Sequence, residues 1–262
     1  MGSSLNPPRL HVEATGEGPT VVLAHGFAGS ARNFGPQARA LRDRFRVVRY
    51  DARGHARSEA PDDPAAYTPD ACADDLGRVF DGAAVVGGLS MGAAIALRFA
   101  LAHPERVRGL VLAAYPPGRD SGRGMSAQSM ELADAIERDG LDAAGARFVW
   151  GPQSGLDAEA ARLVRQGFLE HPPHGLVHTL RGVLARLPSV EELAPRLRGL
   201  SVPVLLVVGE RDAGSLATGN RLAAEFNHSI LKVIREAGHV VNLHRPEAFN
   251  AVLREFLLGT VG

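Results

Sequence analysis

Three side chains at well-separated positions could together perform nucleophilic chemistry: Ser90, Asp212 and His239. A serine hydroxyl is a weak nucleophile at neutral pH. It needs a base to take its proton as it attacks, and imidazole has a suitable pKa. The imidazole in turn needs a carboxylate to fix its tautomer and steady the charge that forms on it. Ser90 stands in Gly88-Leu89-Ser90-Met91-Gly92, a G-x-S-x-G pentapeptide. Alone, such a pentapeptide is a weak signal, because glycine and serine are common. Its flanks carry the inference. The apolar run Ala84-Val85-Val86 precedes it, and a helical run with one charge, Arg98, follows to His103. Strand, tight turn and helix form the setting in which this motif exposes a serine at a strand's C-terminal end, over the positive end of a helix. Gly88 and Gly92 would leave room where a side chain would strike the neighbouring strand or helix.

The elements that must position these groups read as follows. Residues 9–13 alternate like an edge strand, and Thr20 to Ala24, Val47 to Tyr50 and Val107 to Ala113 read as strands. Between them, helical patterns run over about 33–41 and from Pro69 to Phe80, with Thr68 and Asp70 as acceptable caps. This alternation argues for a parallel sheet with helices on both faces. It breaks at residue 116. Residues 116–194 carry helix-like segments near 126–139, 141–150, 157–170 and 175–187, with Gly140 and Pro172-Pro173 as natural breaks. The expected organisation is therefore a core of residues 1–115 and 195–262 with a helical cap insertion at 116–194. Alternation returns with strands at 202–208 and 230–234 and a helix at about 215–226. A final helix begins at Pro246, with its apolar stripe on Phe249, Val252, Leu253, Phe256 and Leu257.

Composition narrows the class. At 262 residues the chain fits one domain with an insertion. Lys plus Arg and Asp plus Glu both number 29, so no field draws the protein to nucleic acid or an acidic membrane. The apolar runs are too short to span a bilayer. The single cysteine, Cys72, excludes an internal disulfide framework and reads as a core residue. Together with an N-terminal stretch, Met1 to Asn6, that lacks the regions of a signal peptide, it points to the cytoplasm. Asp212 has a competitor in Glu210, which ends the same strand. His25, Asp51 and His55 read as loop-bracing residues, and His171, His174 and His178 as solvated or packing ones.

In an open parallel sheet, loops at the strands' C-terminal ends converge on one face. Here those loops carry His25-Gly26-Phe27, Ser90, Asp212 and His239. The order serine, aspartate, histidine, each after a strand, resembles the α/β-hydrolase family over nearly the whole chain. Asp51-Ala52-Arg53-Gly54-His55 with Ser58 is similar to that family's D-x-R-G-H-G-x-S loop, with Ala56 where glycine is usual. Gly238-His239 through Asn242, Pro246-Glu247 and Phe249 is similar to its G-H-x-x-N-x-x-x-P-E-x-F ending. The resemblance implies an α/β-hydrolase fold, Ser90 as nucleophile, His239 as general base and then acid, and Asp212 as orienting carboxylate. It also implies oxyanion donors at the backbone N–H groups of Phe27 and Met91, and no metal or organic cofactor. A single glycine after His25 matches the branch with a one-glycine oxyanion loop.

The function implied is a serine hydrolase acting on small carboxylic esters through an acyl-enzyme. The same motifs also resemble enol-lactonases, C–C-bond hydrolases of ring-cleavage products, the menaquinone-pathway lyase that eliminates pyruvate, and cofactor-free perhydrolases. A non-catalytic small-ligand receptor is the reading from a different class, and an intact set of three residues argues against it. Arg119 and Arg123 are candidates to hold a substrate carboxylate, and Phe148, Trp150, Phe168 and Leu169 to line an acyl or alcohol pocket. The expected partner is a small acyl compound. The sequence fixes neither the substrate nor the oligomeric state.

Overall fold

A β-branched run flanked by turn residues sits at the centre of the architecture, and the rest builds outward from it. The computed structural model describes residues 7–118, 125–152 and 158–261. In chain order the first elements are β1 (Val12–Thr15), β2 (Thr20–Ala24), α1 (Gly35–Leu41), β3 (Arg46–Tyr50), α2 (Pro69–Arg78), β4 (Ala84–Leu89), α3 (Met91–Ala102) and β5 (Val107–Ala113). Then come α4 (Met125–Phe148), α5 (Ala158–Leu169), α6 (Pro173–Gly182) and α7 (Val190–Leu197). The chain ends with β6 (Val204–Gly209), α8 (Ala213–Glu225), β7 (Ser229–Ile234), α9 (Val241–His244) and α10 (Pro246–Val261).

The seven strands form one sheet in the order β1-β3-β2-β4-β5-β6-β7. Only β1 runs antiparallel, against β3, and the other pairs are parallel. Register follows the apolar runs: Val22 lies opposite Val48 on one side and Val86 on the other. Alternate residues feed two cores. Val22, Val48, Val86 and Leu206 face α2, α3 and the helices of the insertion, while Val21, Val47, Val85 and Leu205 face α1 and α10. Of the stripe expected on the last helix, Phe249, Leu253, Phe256 and Leu257 are buried. Cys72 is buried in α2, and burial pushes its thiol up to about 12, so it is inert at physiological pH.

Between β5 and β6 the helices break at the expected glycine and proline positions. Gly140 interrupts α4 with φ 82° and ψ 169°, and α6 starts at Pro173, within the proline pair. Two elements differ. The helix expected over about 175–187 runs from Pro173 to Gly182 and gives way to a separate 3-10 turn at Leu184–Arg186. The sequence reading places no helix beyond 187, yet α7 forms at Val190–Leu197 and crosses position 194. Its start is encoded by a capping box: Ser189 accepts from the Glu192 N–H and Glu192 reaches back to the Ser189 N–H. Pro195 sits inside this helix, which is why the segment does not read as helical.

The sheet reverses its winding between β2 and β4, since β3 is added on one side of β2 and β4 on the other. Such a switch point opens a crevice at the strands' C-terminal ends. At this point α3 crosses the end of β2 at very short range. A Cβ on Gly92 would lie 2.0 Å from the Ala24 carbonyl oxygen, and one on Gly88 would lie 2.4 Å from the Gly92 carbonyl carbon. No rotamer relieves a clash between backbone atoms. Gly92→Ala is therefore expected to cost about 3 kcal/mol or more, read as a lower denaturation midpoint. Gly259→Ala, in α10 with open space around it, serves as the control and should hold or slightly raise the midpoint. Equal midpoints for the two variants would contradict the close crossing.

Candidate active site

Ser90 is the residue between β4 and α3 and adopts φ 53° and ψ −113°. That backbone is strained for any residue with a Cβ. Its N–H is held by the Ala113 carbonyl of the neighbouring strand at 2.8 Å. Strain is a property of this whole face. Among the described residues, the non-glycine residues with positive φ are Ala28, Ala56, Ser90, Ala114 and Glu236, and each lies in the connection that follows the C-terminal end of a strand. Ala56 thus keeps, at φ 45°, the left-handed turn for which the similar loops use glycine.

Asp212 caps α8, accepting from the Ser215 N–H at 3.1 Å with Oδ1. Its Oδ2 accepts a 2.6 Å hydrogen bond from His239 Nδ1–H. Burial works to raise the Asp212 pKa, but the hydrogen bonds from His239 and Ser215 outweigh it and hold the carboxyl at about 2. Glu210 points elsewhere: it accepts from the Glu236 N–H at 2.9 Å. Asp212, not Glu210, is therefore the carboxylate on the imidazole. The loop carrying His239 is anchored by Asn242, fully buried, which donates to the Asn33 carbonyl at 2.9 Å and to Gln37 at 3.2 Å. That gives the asparagine of the G-H-x-x-N ending a structural role.

Ser90 and His239 line one cleft of about 680 Å³. With Nδ1–H committed to Asp212, the Nε2 lone pair of His239 is the one able to take a proton. Met91 opens α3, so its N–H has no partner four residues back within the helix. No hydrogen bond from the Phe27 N–H is found among the described residues. The peptide that bears it is fixed in orientation. The Gly26 carbonyl accepts from His25 Nδ1–H at 2.7 Å and from the Gly29 N–H at 3.0 Å, so the N–H of the same peptide points the other way.

The bracing residues behave as the sequence suggests. His25 Nε2 accepts from the Ala52 N–H at 2.9 Å. Asp51 accepts from the Ala31 N–H at 2.7 Å and from Arg57 Nε at 2.8 Å. Arg53 pairs with buried Asp75 at 2.6 Å. The pocket candidates divide. Phe168 lies on the cleft wall, and Trp150 stacks edge-on behind it with centroids 5.4 Å apart. Phe148 is turned outward, with the Arg147 guanidinium 4.8 Å over its ring, and Leu169 is exposed. Arg119 and Arg123 lie outside the described residues. The cleft also takes in residues that the sequence reading did not single out: Val149, Leu163, Val164 and Leu243 on its apolar wall, and Arg32 paired with Glu170 on its polar one. Leu163 and Val164 lie on the exposed face of α5, where the sequence pattern signals only a solvated helix. His171 is 5 % exposed and packed, not solvated.

The comparisons agree with this architecture. Residues 21–252 match the pattern of the alpha/beta hydrolase family, and the chain belongs to it. It is 32% identical to a Bacillus subtilis (strain 168) protein provisionally named 2-succinyl-6-hydroxy-2,4-cyclohexadiene-1-carboxylate synthase, over 92% of each chain. It is also 32% identical to a pimeloyl-[acyl-carrier protein] methyl ester esterase of Chromobacterium violaceum, over 95% of this chain and 98% of that one. Among solved structures, a thermophilic esterase from Thermogutta terrifontis superposes with a TM-score of 0.84 at 29% identity, covering 99% of this chain and 97% of that one.

The buried imidazoles set a pH dependence. Burial pushes His25 down from 6.5 to about 4, drives His55 well below its ordinary value and lowers His171. The unfolded chain therefore binds more protons than the folded one once the pH drops below 6.5. Stability present above that value drains as the pH falls toward 4, by on the order of 3 kcal/mol for His25 alone. The guanidinium unfolding midpoint should fall between about pH 7.5 and pH 5, and should fall less in His55→Phe. A midpoint that is flat over this window would contradict the neutral, buried rings.

Proposed function

We propose that this protein is a serine hydrolase that cleaves small carboxylic esters through an acyl-enzyme on Ser90. The observation that carries the reading is the 2.6 Å hydrogen bond between His239 and Asp212 at a cleft whose wall includes a strained serine at the N-terminus of α3. Ser90 Oγ attacks the ester carbonyl as His239 Nε2 takes its proton. Asp212 holds the Nδ1–H and stabilises the imidazolium. The Phe27 and Met91 N–H groups receive the negative charge on the carbonyl oxygen, beside the positive end of α3. Collapse of this intermediate expels the alcohol, which leaves with the proton from His239. Water then attacks the acyl-enzyme with His239 again as base, releasing the acid and free Ser90.

The helices between β5 and β6 act as a cap in this reading, and their apolar residues Val149, Leu163, Val164 and Phe168 receive the acyl or alcohol group. The site of action is the cytoplasm, where the lone buried thiol needs no oxidised partner. A second reading, elimination on an anionic substrate, draws on the similarity to the Bacillus protein, which is named for a carboxylate product. Against it, the one arginine among the described cleft residues, Arg32, is already neutralised by Glu170.

The test is initial rates on p-nitrophenyl esters from acetate to dodecanoate. Turnover should peak at short chains. Ser90→Ala should lower kcat/KM by at least about 10³-fold, and Asp212→Asn should cost far more than Glu210→Gln. Undiminished turnover by Ser90→Ala would remove Ser90 as nucleophile. A folded wild type that turns over none of these esters would shift the assignment to the second reading.

A further inference from the structure

His171 lies in the bend between α5 and α6, within the insertion, yet its side chain is built into the loops of the sheet. Its Nδ1 accepts from the Ala56 N–H at 2.9 Å, and its Nε2–H donates to the Ala28 carbonyl at 2.9 Å. The two bonds fix a neutral ring protonated at Nε2. Both partners are backbone groups of residues with positive φ, Ala28 at 53° and Ala56 at 45°. The ring also stacks edge-on against His55, centroids 5.3 Å apart, and His55 lies 5.1 Å from His25. The adjacent residue, Glu170, pairs with Arg32, in the 3-10 segment Ala31–Phe34 that follows Ala28.

The turn 25–29 is therefore gripped from two directions. His25 holds the Gly26 carbonyl from within the sheet, and His171 holds the Ala28 carbonyl from the insertion. The Phe27 N–H lies between these two held groups. We propose that His171 is a positioning residue that clamps the oxyanion turn, so that the donor geometry at Phe27 depends on the seating of the α5–α6 bend. The inference rests on the assignment of Phe27 as an oxyanion donor made under the proposed function. It gives the insertion a part in stabilising charge in addition to enclosing substrate, and it assigns a role to a buried histidine that the acyl-transfer steps do not use. A carbonyl oxygen displaced by a fraction of an ångström loses much of a preorganised hydrogen bond, and that loss is felt only where charge develops.

Three substitutions separate a clamp from simple packing. His171→Phe keeps the ring and its contact with His55 but removes both hydrogen bonds. A glutamine amide reaches where Nε2 stands and can hold the Ala28 carbonyl. An asparagine amide reaches only where Nδ1 stands and can hold the Ala56 N–H. The readouts are kcat and KM on p-nitrophenyl acetate, normalised to folded protein, and inhibition by an aryl trifluoromethyl ketone. Ser90 Oγ adds to the ketone carbon as its proton passes to His239 Nε2, the C=O π pair moves to oxygen, and the resulting oxyanion occupies the donor site. His171→Phe should lower kcat by about 10- to 100-fold, a part of what loss of a whole donor costs, with KM changed by no more than about threefold. Ketone affinity should weaken by the same factor as kcat. His171→Gln should recover most of both losses and His171→Asn little of either. If His171→Phe does not fold, the order of the Gln and Asn variants decides. Unchanged kcat and ketone affinity in His171→Phe, or a better Asn than Gln variant, would overturn the clamp. Ser90→Ala run in parallel keeps the two claims apart: if it retains turnover and ketone binding, the acyl-enzyme reading has failed, whatever the His171 variants do.

Discussion

The close crossing of α3 over the end of β2 is the constraint on which the site depends. Two glycines let a helix backbone approach a strand carbonyl at a distance no side chain permits. The turn between β4 and α3 then has no relaxed route, and Ser90 is held with positive φ at the strand's tip. The energy to hold it comes from the surrounding burial. Every residue of β4 is buried, and α3 is apolar on almost every side. Strain at one residue, of order 1–3 kcal/mol, is small against a core of this size. The same balance operates at Ala28, Ala56 and Ala114, so the strain gathers on the face where the cleft opens.

Much of this was legible in the sequence because it is written in local signals. The strands at 20–24 and 107–113, the break at Gly140 and the buried stripe of the last helix follow from side-chain period and turn chemistry, and the structure reproduces them. The family resemblance is likewise a matter of short motifs, which local reading catches. Helix α7 is hard to read from sequence because its interior proline argues against it, while its capping box and its apolar contacts with the core argue for it more strongly. Tertiary context decided that element.

The cleft was less legible, and for a physical reason. A helix of the insertion meets the cleft through one face, and nothing in its own periodicity says which face meets solvent and which meets substrate. Leu163 and Val164 look like surface residues of α5 and line the cleft, whereas Phe148 looks like a lining residue and lies under Arg147. His171 carried no motif at all. Its partners, Ala28 and Ala56, are 143 and 115 positions away, and both bonds go to backbone, so no residue type marks the pairing. In contrast, the choice of Asp212 over Glu210 needed only one geometric fact, that Glu210 is already engaged by the Glu236 N–H.

The central claim is that Ser90 is the nucleophile that becomes acylated. Reaction with an alkyl fluorophosphonate tests it most directly. The serine oxygen forms a bond to phosphorus, fluoride leaves, and the hydroxyl proton passes to His239. Digestion and mass spectrometry then locate the adduct. The account predicts one phosphonyl group per chain, carried by the peptide containing Ser90, with loss of esterase turnover in step with labelling and no labelling of Ser90→Ala. An adduct on another residue, or full turnover after stoichiometric labelling of Ser90, would contradict it.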